Sequence, residues 1–199
     1  MKTFYINTST LHTTIALFEN DQLKAEKRWK AEHNEAELLQ PAVEKLLGEQ
    51  NLKPDEINQL VVCVGPGGFT SCRVGVSAVN AWSFSKGIPV ASVSVFDLYP
   101  GFDGILVVSA NTNEAWVRMP GENPKFVNRE GLKLPSSFSF GGIVNEEWKT
   151  YFDEHGGSFA ELEEQLPSVN QLPVTNKPVT PWYYKDPNIT WSEKNLPIA

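Results

Sequence analysis

The chain has 199 residues, of which 41% are hydrophobic and 21% are charged, and its formal net charge is −7. This length fits one large domain or two small ones, and the acidic balance disfavours autonomous binding to nucleic acid. Two cysteines and three histidines are too few and too widely spaced for a disulfide framework or a metal site. We therefore expect no metal, no cofactor, and reduced core thiols at Cys63 and Cys72.

The first part of the chain predicts a meander of three antiparallel strands followed by a helix. The strands are predicted over residues 2–8, 13–19 and 22–30. The helix is predicted to start at Asn34, whose side chain would cap it in a reciprocal pair with Glu37, and to end at Gly48 or Asn51. Because no signal-peptide segment precedes the first strand and no apolar run reaches about 18 residues, the sequence predicts a cytoplasmic protein without a membrane partner.

A glycine-rich loop is predicted to join the next strand, residues 59–64, to a second helix. The loop glycines are Gly65, Gly67 and Gly68. Glycines before a helix can cradle a phosphate group, or they can form a tight strand-to-helix turn. The Gly-Lys-Ser/Thr sequence of a Walker A loop does not follow, so we favour the structural turn.

The second helix lacks the polar face that a surface helix normally keeps. From Thr70 to Lys86 the charged residues are Arg73 and Lys86, so both sides of this helix need cover, and we expect another protein to supply the outer one. The predicted contact strip on this helix comprises Ser71, Gly75, Ala78 and Trp82, and Leu38 and Ala42 are expected to join it from the first helix.

Two features favour the contact strip as a protein interface. Three of its four residues on the second helix are small, which lets another helix approach closely, and Trp82 is a large side chain of the kind enriched at interface hot spots. The side expected to face the chain's own sheet comprises Val74, Ala81 and Phe84. The alternative is that Gly75 and Ala78 only permit tight packing inside this domain.

The second half predicts a smaller, less regular lobe. A hairpin is predicted over residues 105–110 and 114–119, further strands over 125–129 and 140–144, and a short helix over 146–155. The proline-rich residues 167–187 predict extended coil. We place the domain boundary so that residues 1–103 form an N-terminal lobe and residues 104–199 a C-terminal lobe. The order of strands and helices predicts an α/β fold with helices packed on a mixed sheet.

Three motifs resemble those of one known family. Residues 6–10 and the meander after them look like the first phosphate hairpin of the actin-like ATPase fold. Residues 65–75 are similar to a Gly-Pro-Gly-Ser-Phe-Thr-Gly-Leu-Arg-Ile-Gly pattern, and residues 181–185 resemble a Pro-x-Tyr-x-Arg ending. Together they resemble the bacterial TsaB family, the dimerisation subunits of the tRNA threonylcarbamoyladenosine synthase. The resemblance implies an actin-like (ribonuclease H-like) mixed sheet with a reduced second lobe.

The resemblance also implies a function without catalysis. A TsaB subunit pairs through its first two helices with TsaD, the catalytic subunit of the same fold, and works with the ATPase TsaE on the adenosine beside the tRNA anticodon. This chain would then contact tRNA only indirectly, and it could form a homodimer when alone. The alternative is an actin-like ATPase or phosphotransferase that uses the turn Thr8–Thr10 and the loop Gly65–Gly68.

Asn7 departs from the pattern of the family and of the actin-like ATPases, which place an aspartate at this position. In the ATPases that aspartate helps to hold magnesium through water, whereas a neutral amide is a poor ligand for a hard cation. We therefore interpret Asn7, Thr8 and Ser9 as a vestigial phosphate turn. Its hydroxyl groups are expected to bond to local backbone.

Overall fold

The computed structural model describes residues 1–30, 32 and 34–184, so residue 185, the last of the predicted C-terminal motif, lies outside them. The N-terminal elements are β1 (Lys2–Asn7), β2 (His12–Glu19), β3 (Gln22–Lys30), α1 (Glu35–Glu49), β4 (Gln59–Cys63), α2 (Phe69–Lys86) and β5 (Val90–Val93). The later elements are β6 (Ile105–Ser109), β7 (Glu114–Arg118), β8 (Lys125–Asn128), β9 (Phe138–Ile143), α3 (Glu146–Glu154), β10 (Gly157–Phe159) and β11 (Val174–Thr175). Short 3₁₀ turns cover Pro54–Glu56, Val95–Leu98 and Arg129–Gly131.

The first sheet has six strands in the order β11-β5-β4-β1-β2-β3. β1 pairs antiparallel with β2 and parallel with β4, so that Ile6 lies beside both Ile15 and Val62. The parallel pairs β1/β4 and β4/β5 require crossover connections, which α1 and α2 provide. The predicted α/β class with a mixed sheet is confirmed.

The second sheet has five strands in the order β10-β9-β6-β7-β8. β6 and β7 form the predicted antiparallel hairpin, in which Val108 pairs with Trp116, and β9 joins β6 in parallel. The helix α3 places Trp148 and Phe152 in the core of this sheet, where both side chains are fully buried. The short strands β10 and β11 carry no periodic pattern long enough to be predicted from sequence.

The strands of the first sheet divide their apolar side chains between two cores, as the alternation of a strand requires. Phe4 and Ile6 of β1 face α1 and α2. Tyr5 faces the opposite side, where it shares a core with Leu106 and Val108 of the second sheet. The domain boundary after residue 103 stays a prediction, and the chain after it returns to the first sheet because β11 pairs with β5.

The ends of the two long helices differ in how far they follow their sequence signals. The capping box predicted at Asn34 is wrong: its side chain makes no cap hydrogen bond, and φ −117° with ψ 15° lies outside the extended region that a capping side chain needs. At the end of α2, Gly87 adopts φ +66° and donates its backbone N–H to the carbonyl of Ser83. This left-handed stop confirms the predicted end of the helix.

Candidate functional site: an apolar groove and a closed polar turn

The helices α1 and α2 lie on the same face of the first sheet and leave an open groove between their outer sides. The groove has a volume of about 870 Å³. Its lining is largely apolar, and the main contributors are Leu39, Val43, Leu47, Val74, Ala78, Ala81 and Trp82. An apolar concave surface of this kind on a soluble protein is typical of a binding site.

Two of the predicted interface residues, Ala78 and Trp82, line the groove. Both are half-buried, and the Trp82 ring also packs on Phe4 of the core with ring centroids 5.4 Å apart. On α1, Leu38 is 39% exposed and Ala42 is half-buried against the core, and neither belongs to the lining. The assignment of these residues to a partner interface stays a prediction.

The placement of Gly75 on the outer face is wrong. Gly75 is buried, its backbone N–H donates to Thr8 Oγ1 at 3.1 Å, and a Cβ atom there would lie 2.6 Å from the same oxygen. The missing side chain therefore lets the turn after β1 approach α2, which is the tight internal packing that the sequence left open as the alternative. Ser71 belongs to the same contact, since its carbonyl accepts from Thr8 Oγ1 at 2.6 Å and its hydroxyl donates to Glu35 at 3.2 Å.

The predicted inner face of α2 is wrong at two of its three residues, since Ala81 and Phe84 are exposed. Val74 packs against the core beneath the helix and also lines the groove. Cys72, Val76 and Val79 are the buried side chains beneath the helix. Because α2 is apolar or small nearly all round, its periodicity could not decide which side meets the sheet.

The turn after β1 is buried and internally hydrogen-bonded. Asn7 Oδ1 accepts from the backbone N–H of Ser9 at 2.9 Å, and Asn7 Nδ2 donates to Thr10 Oγ1 at 3.0 Å. Ser9 Oγ donates to the carbonyl of Cys63 at 2.9 Å. The hydroxyl groups of Thr8 and Ser9 thus bond to distant elements of the chain, α2 and β4, more than to the local backbone that we had expected.

The glycine loop is covered by the segment Trp182–Tyr184. The N–H of Gly67 donates to the carbonyl of Trp182 at 3.2 Å, and the N–H of Tyr184 donates to the carbonyl of Gly67 at 3.0 Å. At Gly65, φ is +121° and a Cβ atom would lie 2.0 Å from the Trp182 carbonyl oxygen, so glycine is required there. These bonds support the structural turn, because a loop that cradles phosphate needs its N–H groups free.

The pKa values of the ionisable groups near the turn are shifted mainly by burial. Burial raises the pKa of the Cys63 and Cys72 thiols, and both cysteines are free and buried. Burial also raises the pKa of Tyr184 to about 12. Across residues 1–30, 32 and 34–184, no group of three or more His, Cys, Asp and Glu side chains is arranged to hold a metal ion. In the same part of the chain, no helix has the length and hydropathy to cross a membrane.

Comparison with known proteins gives one family model and several curated relatives. Residues 29–99 match the family model described as TsaD, tRNA N6-adenosine threonylcarbamoyltransferase. The chain is 31% identical to the tRNA threonylcarbamoyladenosine biosynthesis protein TsaB of Bacillus subtilis over 105 residues, which are 51% of this chain and 46% of that protein. It is 23% identical to TsaB of Haemophilus influenzae over 98% of this chain and 80% of that protein. The match to the B. subtilis relative thus spans about half of that protein's length.

Solved structures show a similarity of fold over most of the chain. YeaZ from Pseudomonas aeruginosa superposes with a TM-score of 0.64 at 18% identity, over 84% of this chain and 85% of that chain. A second structure, described as similar to the peptidase YeaZ of the same organism, gives a TM-score of 0.66. At this identity the superpositions show the fold alone. The predicted resemblance to bacterial TsaB is therefore confirmed by the curated relatives, and the similarity of fold extends over most of the chain.

Proposed function

We propose that this chain is a non-catalytic subunit in the biosynthesis of threonylcarbamoyladenosine in tRNA, and that it docks onto a TsaD-like catalytic subunit through the groove between α1 and α2. The observation that carries the proposal is the groove itself: about 870 Å³ of apolar concavity formed by both helices. A helix pair from a partner would bury this surface, and apolar burial is the main driving force of most protein association.

The comparisons favour a partner of the same fold. The TsaD family model matches residues 29–99, a range that contains both α1 and α2. A TsaD-like protein therefore carries a helix pair that corresponds to this one. Two related helix pairs can pack across a pseudo-twofold axis in the way that identical surfaces do in a symmetric dimer. In this proposal a TsaE-like ATPase and tRNA meet the assembled pair, and a second copy of this chain can occupy the same groove when the partner is absent.

The polar site weighs against the alternative of an actin-like ATPase or phosphotransferase. The hydroxyl groups of Thr8 and Ser9 and the backbone N–H of Gly67 already have partners within the chain. A phosphate group binds where such donors are free to reach it. The oxygen and the nitrogen of the Asn7 side-chain amide are also both hydrogen-bonded within the turn.

The docking proposal is tested by placing a charge in the groove. Ala81 lines the groove but is exposed in the chain alone, so Ala81→Glu should leave the fold intact and bury an unpaired carboxylate only in the complex. The matched control is Ser77→Glu, which puts the same charge on an exposed position of α2 outside the groove lining. Calorimetric titration with a purified TsaD-like subunit should show affinity at least about 100-fold weaker for Ala81→Glu. Equal affinities for parent, Ala81→Glu and Ser77→Glu would refute the docking site.

A further inference from the structure

An extended segment, residues 160–169, crosses the molecule from the second sheet to the first. We refer to it as the strap. It follows β10 and begins beside β9, where the N–H of Ala160 donates to the carbonyl of Phe140 at 2.7 Å. It ends at the β2–β3 turn, where the N–H of Val169 donates to Asp21 Oδ1 at 3.0 Å. Between these points the N–H of Gln165 donates to the carbonyl of Leu98 at 2.8 Å. The strap therefore lies against the face of the first sheet opposite α1 and α2, where Tyr5, Asn7 and Arg28 border it. We call the space between this face and the strap the cleft.

The strap carries one acidic side chain, Glu164, into the cleft. Its Oε2 atom lies 2.9 Å from Thr10 Oγ1 and 3.4 Å from Arg28 Nη2. Arg28 Nη2 is in turn 3.5 Å from His12 Nδ1. Thr10 and Arg28 thus place a hydroxyl and a guanidinium at one carboxylate oxygen, and His12 contacts Arg28 from a second position. We call Thr10, His12 and Arg28 the polar cluster. A guanidinium and a hydroxyl are the partners that phosphate and other oxyanions prefer.

Little room remains around the carboxylate. Glu164 is about nine-tenths buried at its side chain, with an exposed fraction of 10%. The cavity beside it has a volume of about 10 Å³, and Tyr5, Asn7, Arg28 and a second carboxylate, Glu26, are among the residues that border it. This volume is at the limit for one water molecule, so an external anion has no space while Glu164 is in place.

Burial makes the carboxylate costly in this position. Burial raises the pKa of Glu164 against the opposing effects of the Thr10 hydrogen bond, Arg28 and His12. The geometry shows what the side chain occupies: its Oε2 atom fills the position between Thr10 Oγ1 and Arg28 Nη2, where an external oxyanion would otherwise accept from both.

We propose that the Glu164 carboxylate occupies an oxyanion site of this chain, formed by the polar cluster, and thereby keeps external phosphate groups out of the cleft. The strap acts as an internal occupant of the cleft. This inference does not depend on the docking groove, which lies on the other face of the first sheet with α1 and α2. Removing the carboxylate arm should open a space close in size to a phosphate group beside the existing cavity.

Titration with inorganic phosphate, followed by calorimetry at constant ionic strength, tests the proposal. The parent chain should show no saturable binding, whereas Glu164→Ala should bind phosphate at least tenfold more tightly than the parent. The double variant Arg28→Ala, Glu164→Ala should lose that binding, because it lacks the guanidinium of the polar cluster. Glu164→Gln keeps the size of the side chain without its charge, and it should bind no more phosphate than the parent.

Three results would overturn the proposal. A folded Glu164→Ala variant that binds no more phosphate than the parent would show that the polar cluster is not an oxyanion site. Equal binding by Glu164→Gln and Glu164→Ala would show that charge, not occupancy, excludes phosphate. If Glu164→Ala and Glu164→Ser both fail to fold by circular dichroism, the carboxylate is needed for structure, which contradicts its role as an internal occupant.

Discussion

Gly75→Ala should destabilise the fold, although a glycine inside a helix is normally improved by alanine by about 0.5–1 kcal/mol. The added Cβ would lie 2.6 Å from Thr8 Oγ1 and 3.5 Å from Thr8 Cβ and Cγ2. Thr8 is β-branched and bonded to both Ser71 and Gly75, so it cannot turn away without losing those hydrogen bonds, each of which contributes about 1 kcal/mol.

The expected change follows from these opposing effects. Overpacking lowers the free energy of unfolding by about 1–3 kcal/mol, and the loss of one Thr8 hydrogen bond lowers it by about 1 kcal/mol more. The higher helix propensity of alanine raises it by less than about 1 kcal/mol. We expect Gly75→Ala to lower the free energy of unfolding by about 1–3 kcal/mol. The matched control is Gly48→Ala in α1, where an added Cβ meets nothing within 4 Å and should stabilise by about 0.5 kcal/mol.

Urea unfolding followed by tryptophan fluorescence measures both variants. With a urea dependence of about 2 kcal/mol/M, a loss of 2 kcal/mol would move the midpoint of Gly75→Ala down by about 1 M, and Gly48→Ala should move it slightly up. Changes of the same sign and size at both positions would refute the close approach of the turn to α2. Below its unfolding midpoint, Gly75→Ala should keep the affinity of the parent for a TsaD-like subunit, since Gly75 is buried within the chain.

Two further predictions concern buried ionisable groups. Because the folded state raises the pKa of Glu164, it holds that proton more tightly than the unfolded state, and stability should fall as pH rises through the raised pKa. Urea unfolding midpoints measured between about pH 4 and pH 7 should show this fall in stability for the parent, and the fall due to Glu164 should be absent in Glu164→Gln. Cys63 and Cys72 are buried thiols with raised pKa, so a thiol reagent should modify the native chain at least about 100-fold more slowly than the unfolded chain. Equal rates would contradict this burial.

Most of the longer elements could be predicted from the sequence because each of them carries its own local signal, whereas the short strands β10 and β11 carry none. The β1–β3 meander shows alternation, α1 shows helical spacing, and the hairpin β6–β7 is marked by its turn residues 111–113. The contact strip on α2 could be predicted only in part. A helix with small and apolar residues on every side has no polar face that indicates which side is outward. Whether Gly75 or Ala81 faces outward therefore depends on where the turn after β1 crosses the helix.

The two segments that close the polar site could not be predicted, because their contacts are long-range. The strap residue Glu164 meets Thr10 across 154 positions of the sequence. Trp182 contacts the glycine loop through backbone atoms, and a backbone hydrogen bond does not depend on which residue types the sequence contains. The proline-rich sequence predicts extended coil for residues 167–187, which include Trp182, and no element is predicted at Glu164. A prediction of coil does not say where a segment lies in the fold.

The closed turn and the open groove both bear on the two functions considered for this chain. A nucleotide could enter the turn only after the bonds of Glu164 to Thr10 and of Trp182 to Gly67 had opened. The Trp182 ring would also have to leave Trp116, whose centroid is 4.7 Å away. Each of these steps lowers the apparent affinity, because only the open fraction can bind. The groove between α1 and α2 needs no such opening, so no opening step would lower the affinity of a helix pair that fills it. The structure therefore favours a protein partner over a phosphorylated small molecule.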